Sequence, residues 1–368
     1  MSKKEKILSS LSPVLINKKS SIGVGLSKRF FLYRLMKKTV DVIEEDPYLN
    51  FIALLKNYKI LGKFLDGTIG EFHKDRKKMY FKNFFNDREL YKVVKEDLEE
   101  LYPKYKDIRV TITKRGVIIY NNYKKNAFNV LLMTIHSGIW VPESIKNKLS
   151  ISEKDRYREE DVDSHKLYYR LVLEKGGIWI DNKQSRFVVD FNRNFEKAIY
   201  ADRSEEWLNV VWKHLPTEKE KKDIYDSYKE FYFTLLKLVE THYFNIIFDG
   251  HSMKNKDNRP NISFGTRYIP TFYMPIVKGM QRKMISMGYS PVALNSPYFG
   301  GYILRWLGQK FPNIFIFSME VNKKLYMNDN HTKSYKRKLA NISKDIMEIV
   351  NIEEDIEEKH RKNDKASK

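Results

Sequence analysis

The sequence predicts an α/β protein: a mixed, largely parallel sheet flanked by helices, with a mostly helical extension in front of it. Three observations predict it. Short, predominantly apolar runs recur, as in Asn129–Ile135, Asn245–Phe248 and Ile314–Met319, and runs of that length rich in β-branched and aromatic residues read as strands buried on both faces. Segments with helical apolar spacing alternate with them, the rhythm of a sheet covered by helices. Chemically distinctive residues then follow the runs directly: His136-Ser-Gly138, Asp249-Gly-His-Ser252 and Glu320. In open α/β sheets the ligand crevice lies beyond the carboxyl ends of the strands.

Taken in order, residues 1–30 are polar and read as a loose leader. From about 30 to 105 the spacing of Phe31, Leu35 and Val40, and of Phe51, Leu54 and Leu55, is helical, and Pro103 closes the stretch. Residues 108–112 alternate strictly, and Lys114-Arg-Gly116 turns the chain into 117–120, a hairpin. After the strand before His136 the expectation is helix 164–175, strands 177–181 and 186–190, helix 222–242, strand 245–249, helix 272–287, strand 291–294, helix 301–309 and strand 314–319. A C-terminal helix carries the stripe Ile342, Ile346, Ile349, Val350 and Ile356, with Ser343 as its expected cap. These elements divide the chain into a basic extension over 1–105, a catalytic domain over 106–330, and a helix with a charged tail over 331–368.

The chain has 368 residues, 42% hydrophobic and 14% aromatic, enough apolar material for a large core. The formal net charge is +21, unevenly spread: residues 1–125 hold 28 Lys and Arg against 15 Asp and Glu. Such a front can contact nucleic acid or another anionic surface, although no RNP-like or compact Arg-rich motif accompanies it. There is no cysteine, which excludes disulfides, thiolate metal sites and a cysteine nucleophile. No apolar run approaches the length of a transmembrane helix or a signal h-region, so the expected location is cytoplasmic.

Any metal must therefore use histidine and carboxylate. His136 and His251 sit at the ends of their runs, and Asp249, two residues before His251, can orient that imidazole through its second nitrogen. Two histidines and one carboxylate leave the open position that a catalytic zinc needs. The candidate carboxylates lie in Arg158-Glu-Glu-Asp-Val-Asp-Ser-His165: Asp161 first, then Asp163 and Glu159. Glu320 ends an otherwise apolar strand, and a carboxylate buried there is costly unless paired or functional. Arg186, Asn192 and Arg193 in Ser185–Arg193 have the chemistry of a carboxylate grip. The loop Asn295-Ser-Pro-Tyr-Phe-Gly-Gly-Tyr302 offers Asn295, Tyr298 and the close-approach glycines Gly300 and Gly301, ahead of a helix bearing Arg305.

Together these segments resemble the N-formylglutamate amidohydrolase family. The resemblance rests on His136-Ser-Gly with Pro142, Asp161 before Leu167-Tyr168, Ser185–Arg193, Tyr228 with Phe231, and Asp249–Met253. It continues through Asn261-Ile-Ser-Phe-Gly265, Asn295–Tyr302 with Arg305, and Met319-Glu320 with Tyr326-Met327, over roughly residues 130–328. The chain departs from the family where Glu159 stands in place of the first acid of an Asp-x-Asp pair, where His165 takes a later acidic position, and where Tyr232 replaces a histidine. The resemblance implies a zinc carboxypeptidase-like fold, one zinc ion held by His136, Asp161 and His251, and Glu320 as general base. It also implies a grip by Asn192 and Arg193 on the carboxylate of a small N-acyl amino acid. Arg186 would steady the developing oxyanion. The rival expectations are a carboxypeptidase-like or amidase-like peptidase using the same site, and a basic polyanion-binding protein on an inactive hydrolase fold.

Overall fold

A computed structural model describes residues 70–72, 88–101, 108–113, 115–200 and 210–350. Contacts divide the chain into Met1–Gly70 and Glu71–Lys368; the elements below belong to the second unit, with the first strand beginning at the junction. The expected leader, the helical spacing ahead of residue 70 and the stripe position Ile356 lie outside the described residues.

Among the described residues the strands are β1 (Gly70–Phe72), β2 (Arg109–Ile112), β3 (Val117–Asn122), β4 (Val130–Thr134), β5 (Gly177–Asn182), β6 (Ile246–Met253), β7 (Ile262–Gly265), β8 (Val292–Leu294) and β9 (Ile316–Asn322). They form one sheet in the order β1-β2-β3-β5-β4-β6-β9-β7-β8. Its centre is parallel: β4 pairs with β5 and β6, and β6 with β9. The flanks reverse direction, with β2, β3 and β5 antiparallel in turn and β7 antiparallel to β9. The sheet is mixed with a parallel centre, as the sequence predicts.

The apolar runs are explained by the two cores. Successive side chains on a strand point to opposite faces. Val130, Leu132, Ile246, Phe248 and Trp179 enter one buried cluster, while Leu131, Met133, Ile247, Ile178 and Ile180 enter the other. The first face is covered by α1 (Arg88–Leu101) through Leu90 and Val94, α4 (Met274–Ser286) through Ile276, Val277, Met280 and Met284, and α6 (Lys336–Ile349) through Leu339, Ile342, Ile346 and Ile349. The second is covered by α3 (Glu218–Thr241) and α5 (Tyr302–Lys310). A short helix, α2 (Glu153–Glu159), precedes the acidic loop.

Four elements differ from expectation. The run 186–190 is a buried turn, not a strand: both hydrogen-bonding edges of β5 are already taken by β3 and β4. Instead Ser185 ties the run up locally, its carbonyl accepting from the N–H of Val188 and its hydroxyl from that of Phe187. The expected helix 164–175 is a single turn, His165–Tyr168, followed by a wider π turn, Leu171–Lys175. β7 is an extra strand, because Asn261–Gly265 is short and lacks a run of its own. Ser343 does not cap α6; the helix starts at Lys336, and Ser343 lies mid-helix on the buried face.

A candidate metal centre on the carboxyl edge of the sheet

β4 pairs its Met133 with Asp249 of β6 and ends one residue later, two residues before His136, while β6 runs on past Asp249 to His251. The register therefore sets both imidazoles at one level, with ring centroids 5.0 Å apart. β6 and β9 continue side by side, pairing His251 with Glu320. β6 and β9 thus run further than the apolar runs suggest, so His251 and Glu320 are strand residues. Gly250 leaves room for Tyr168 over this pair. The ring of Tyr168 lies against it so closely that a Cβ there would stand 2.5 Å from Tyr168 Cδ2. From that position the single Tyr168 hydroxyl proton is shared between the carbonyls of His251 (2.6 Å) and Met319 (2.9 Å), tying β6 to β9.

Asp161 arrives from the loop after α2, its N–H donating to the His136 carbonyl at 3.2 Å. One ligand-type atom each from His136, Asp161 and His251 lie within 4.8 Å of one another, and all three residues are buried. His251 Nδ1 is 3.0 Å and His136 Nδ1 3.8 Å from Asp161 Oδ2. The other ring nitrogens are held from behind: His251 Nε2 lies 2.8 Å from Asp249 Oδ2, and His136 Nε2 2.7 Å from Asp190 Oδ1. Each imidazole thus turns the same nitrogen toward Asp161 while a buried carboxylate fixes its ring, the arrangement by which histidines are oriented toward a metal. Glu159 and Asp163, the other acidic candidates, face elsewhere. Glu159 pairs with Lys254, and Asp163 accepts from Ser334 and lies 3.0 Å from Lys166.

The electrostatics fit a dication. Burial would lower the His251 pKa, but Asp249 and Asp161 outweigh it and hold the imidazole well above its usual value. Burial, reinforced by Arg186, lowers that of His136 against the pull of Asp190. Burial, with Asp161 and Asp249 nearby, raises Glu320 to about 7 against the pull of His251 and Arg186. Without a metal, His251 and Glu320 keep protons that an ordinary imidazole and carboxylate release at neutral pH, whereas the Asp161 carboxyl, which burial would raise, is held below its ordinary value by His251 and His136. A divalent cation displaces such protons when it binds.

Asp190 is a residue to which sequence reasoning gave no role. Besides holding His136 it accepts from Arg186 Nη2 (2.8 Å), the Tyr200 hydroxyl (2.5 Å) and the Asn192 N–H (2.8 Å), and lies 3.6 Å from Arg193 Nε. The two arginines that bracket it in sequence were a signal that an anion stands between them. Arg186 is thereby fixed beside His136, and Arg193 stacks over Tyr200, 4.6 Å from its ring centre. The Asn192 amide oxygen accepts from the N–H of Ile303 at the start of α5. Gly301 is required beside it, since a Cβ would lie 2.0 Å from that oxygen. Asn295, at φ 56°, accepts from Thr266 N–H and donates to Thr266 Oγ1. Tyr298 is partly exposed; burial and the nearby Glu320 raise its pKa, and Arg259 lies 5.4 Å from its ring centre. Gly300, at φ 111°, turns the loop into α5, and the exposed Arg305 lays its guanidinium over Tyr302.

Fold and site together define the class: a helix-flanked mixed α/β sheet with a buried histidine–aspartate–histidine cluster, able to hold one divalent ion, at its carboxyl edge. Within that class the chain belongs to the N-formylglutamate amidohydrolase family, whose model matches residues 128–327. A crystal structure of N-formylglutamate amidohydrolase from Ralstonia eutropha JMP134 superposes with a TM-score of 0.51 at 18% identity, covering 67% of this chain and 99% of that one. A gene product of Agrobacterium tumefaciens gives 0.49 at 16% identity, covering 64% and 92%. A metallo-carboxypeptidase from Burkholderia cenocepacia gives 0.35 at 9%, covering 71% and 69%. Comparison with curated proteins finds no match.

Proposed function

We propose that this chain is a zinc-dependent hydrolase that cleaves the amide bond of an N-formyl or other N-acyl amino acid, with N-formylglutamate as the first substrate to try. The observation that carries the reading is the convergence of His136, Asp161 and His251, each imidazole backed by its own carboxylate, inside an amidohydrolase domain. His136, Asp161 and His251 would hold the ion. When bound there, zinc supplies Lewis acidity, which acidifies water and polarises a scissile carbonyl.

The remaining chemistry belongs to the chain. Glu320, beside His251 across the β6–β9 pair, takes the proton of the attacking water and returns it to the departing amine. Burial suits it to both roles, since a carboxyl poised near neutrality can accept and then release a proton. Arg186, held by Asp190 and Tyr200, presents a fixed positive charge to the developing oxyanion. Arg193, with the NH2 group of Asn192, binds the substrate carboxylate, while Tyr298 and the loop through Gly300 and Gly301 form the rim.

The test is metal content and formate release on the full chain. Wild-type protein should carry one zinc per chain and hydrolyse N-formylglutamate. His251→Ala should lose both properties. Glu320→Gln should keep the metal and lose about 10²–10⁴-fold in kcat. An active Glu320→Gln variant removes Glu320 from the mechanism. Turnover of peptides in place of formyl amino acids would shift the assignment to a peptidase, and salt-sensitive polyanion binding without zinc would shift it to a binding protein.

A further inference from the structure

Three residues beyond Glu320, Lys323 is wholly buried at the end of β9. A buried ammonium must find acceptors, and this one uses main-chain carbonyls. Its Nζ donates to Arg158 O at 2.7 Å and to Glu160 O. Tyr326, one turn on and equally buried, donates its hydroxyl to Val162 O at 3.2 Å. The carbonyls of residues 158, 160 and 162, which flank Asp161, are thus all gripped from the short turn that follows the Glu320 strand. Glu160 meanwhile directs its side chain away, accepting from Arg156 Nη1 at 2.9 Å and from the Ser185 hydroxyl. Residue 161 itself is tied by its N–H to the His136 carbonyl and by its carbonyl to the Ser164 N–H, and the Lys323 and Tyr326 bonds anchor the backbone on either side of it to the β9 turn.

We propose that Lys323 is a positioning residue for the candidate metal centre: it ties the backbone on either side of Asp161 to the strand that carries Glu320, and so sets the distance between that carboxylate and the two histidines. Tyr326 acts with it on the far side of the loop. The inference rests on the hydrolase reading above, in that Asp161 must be a ligand.

The test is divalent-metal affinity and the visible spectrum of bound Co2+ in the full chain, both read without turnover. Lys323→Met keeps the length of the stem and removes the donors. It should weaken Co2+ and Zn2+ binding about 10–100-fold and change the Co2+ d–d bands at saturation. Because the chain has no cysteine, Lys323→Cys introduces a unique thiol. Aminoethylated in denaturant and refolded, it restores an ammonium at nearly the original reach; propylated, it gives a neutral side chain of the same length. The aminoethyl form should recover affinity and spectrum and the propyl form should not, a contrast that also serves if Lys323→Met fails to fold. Wild-type affinity and an unchanged spectrum in folded Lys323→Met, or equal behaviour of the two alkylated forms, overturns the proposal while leaving the hydrolase reading intact. A wild-type chain that takes up no metal sinks both.

Discussion

Each imidazole of the cluster has two nitrogens, and the chain spends a buried aspartate to decide which one is offered. Asp249 does this for His251 from within the same strand, two residues back on the same face. Asp190 does it for His136 from a turn 54 residues away, and its carboxyl is held well below the usual range. Burial opposes that depression, and Arg186 and His136 overcome it. Asp190→Asn keeps the shape but removes the charge that fixes the ring. It should weaken metal binding by about 10–100-fold, with Asp249→Asn as the matched comparison, both measured by competition with a chelator. Unchanged affinity in folded Asp190→Asn would show that His136 needs no such partner.

At the scale of elements, α1 docks a charge as well as an apolar face. Asp97 pairs with the buried Lys183, which also pairs with Asp181, and lies 3.5 Å from His165 Nε2. Asp181 in turn accepts from Thr134 and from Ser137, the neighbour of His136. Burial alone would raise the Asp97 carboxyl, but Lys183 and His165 outweigh it and hold it below its ordinary value. The unfolded chain therefore binds this proton more readily than the folded one. The pairing contributes stability above the ordinary aspartate pKa, and that contribution fades as pH falls through the depressed value. Asp97→Asn should lower stability at pH 7 by about 3 kcal/mol, since it unbalances a buried pair. It should also flatten the loss of denaturation midpoint as pH falls from roughly 5 down through the depressed range of that carboxyl. Parallel acid profiles for the two proteins would rule the pairing out as a source of that loss.

For the whole molecule, α1 shares the main core. Leu90 and Val94 are buried with Ile118, Tyr120 and Trp140, so the sheet face beyond β3 is closed by a helix that precedes the family's matched region. Removing residues 1–105 should expose that face and cost about 3–6 kcal/mol for Leu90 and Val94, at roughly 1.5–3 kcal/mol per fully buried aliphatic side chain, in addition to the loss of the Asp97 pair. Thermal unfolding of the truncated and full chains checks it, and equal melting temperatures would show that the domain closes without the helix. Among the described residues no helix is long and apolar enough to cross a membrane.

The central strands were legible because burial on both faces demands an unbroken apolar run, and residue order alone shows such runs before His136, His251 and Glu320. Asp249 was legible for the same local reason, since two residues along a strand return to one face. Asp190, Lys323 and Tyr168 were not. Each acts on an atom 54 or more residues away, through a sheet order in which β4 lies between β5 and β6. Nothing in local composition separates a buried lysine on two carbonyls from a solvated one. Likewise 186–190 has the composition of a strand, and only the occupied edges of β5 make it a turn. The sequence by itself determined which residues can do the chemistry. Tertiary structure decided which of them meet, because that depends on strand register and on partners distant along the chain.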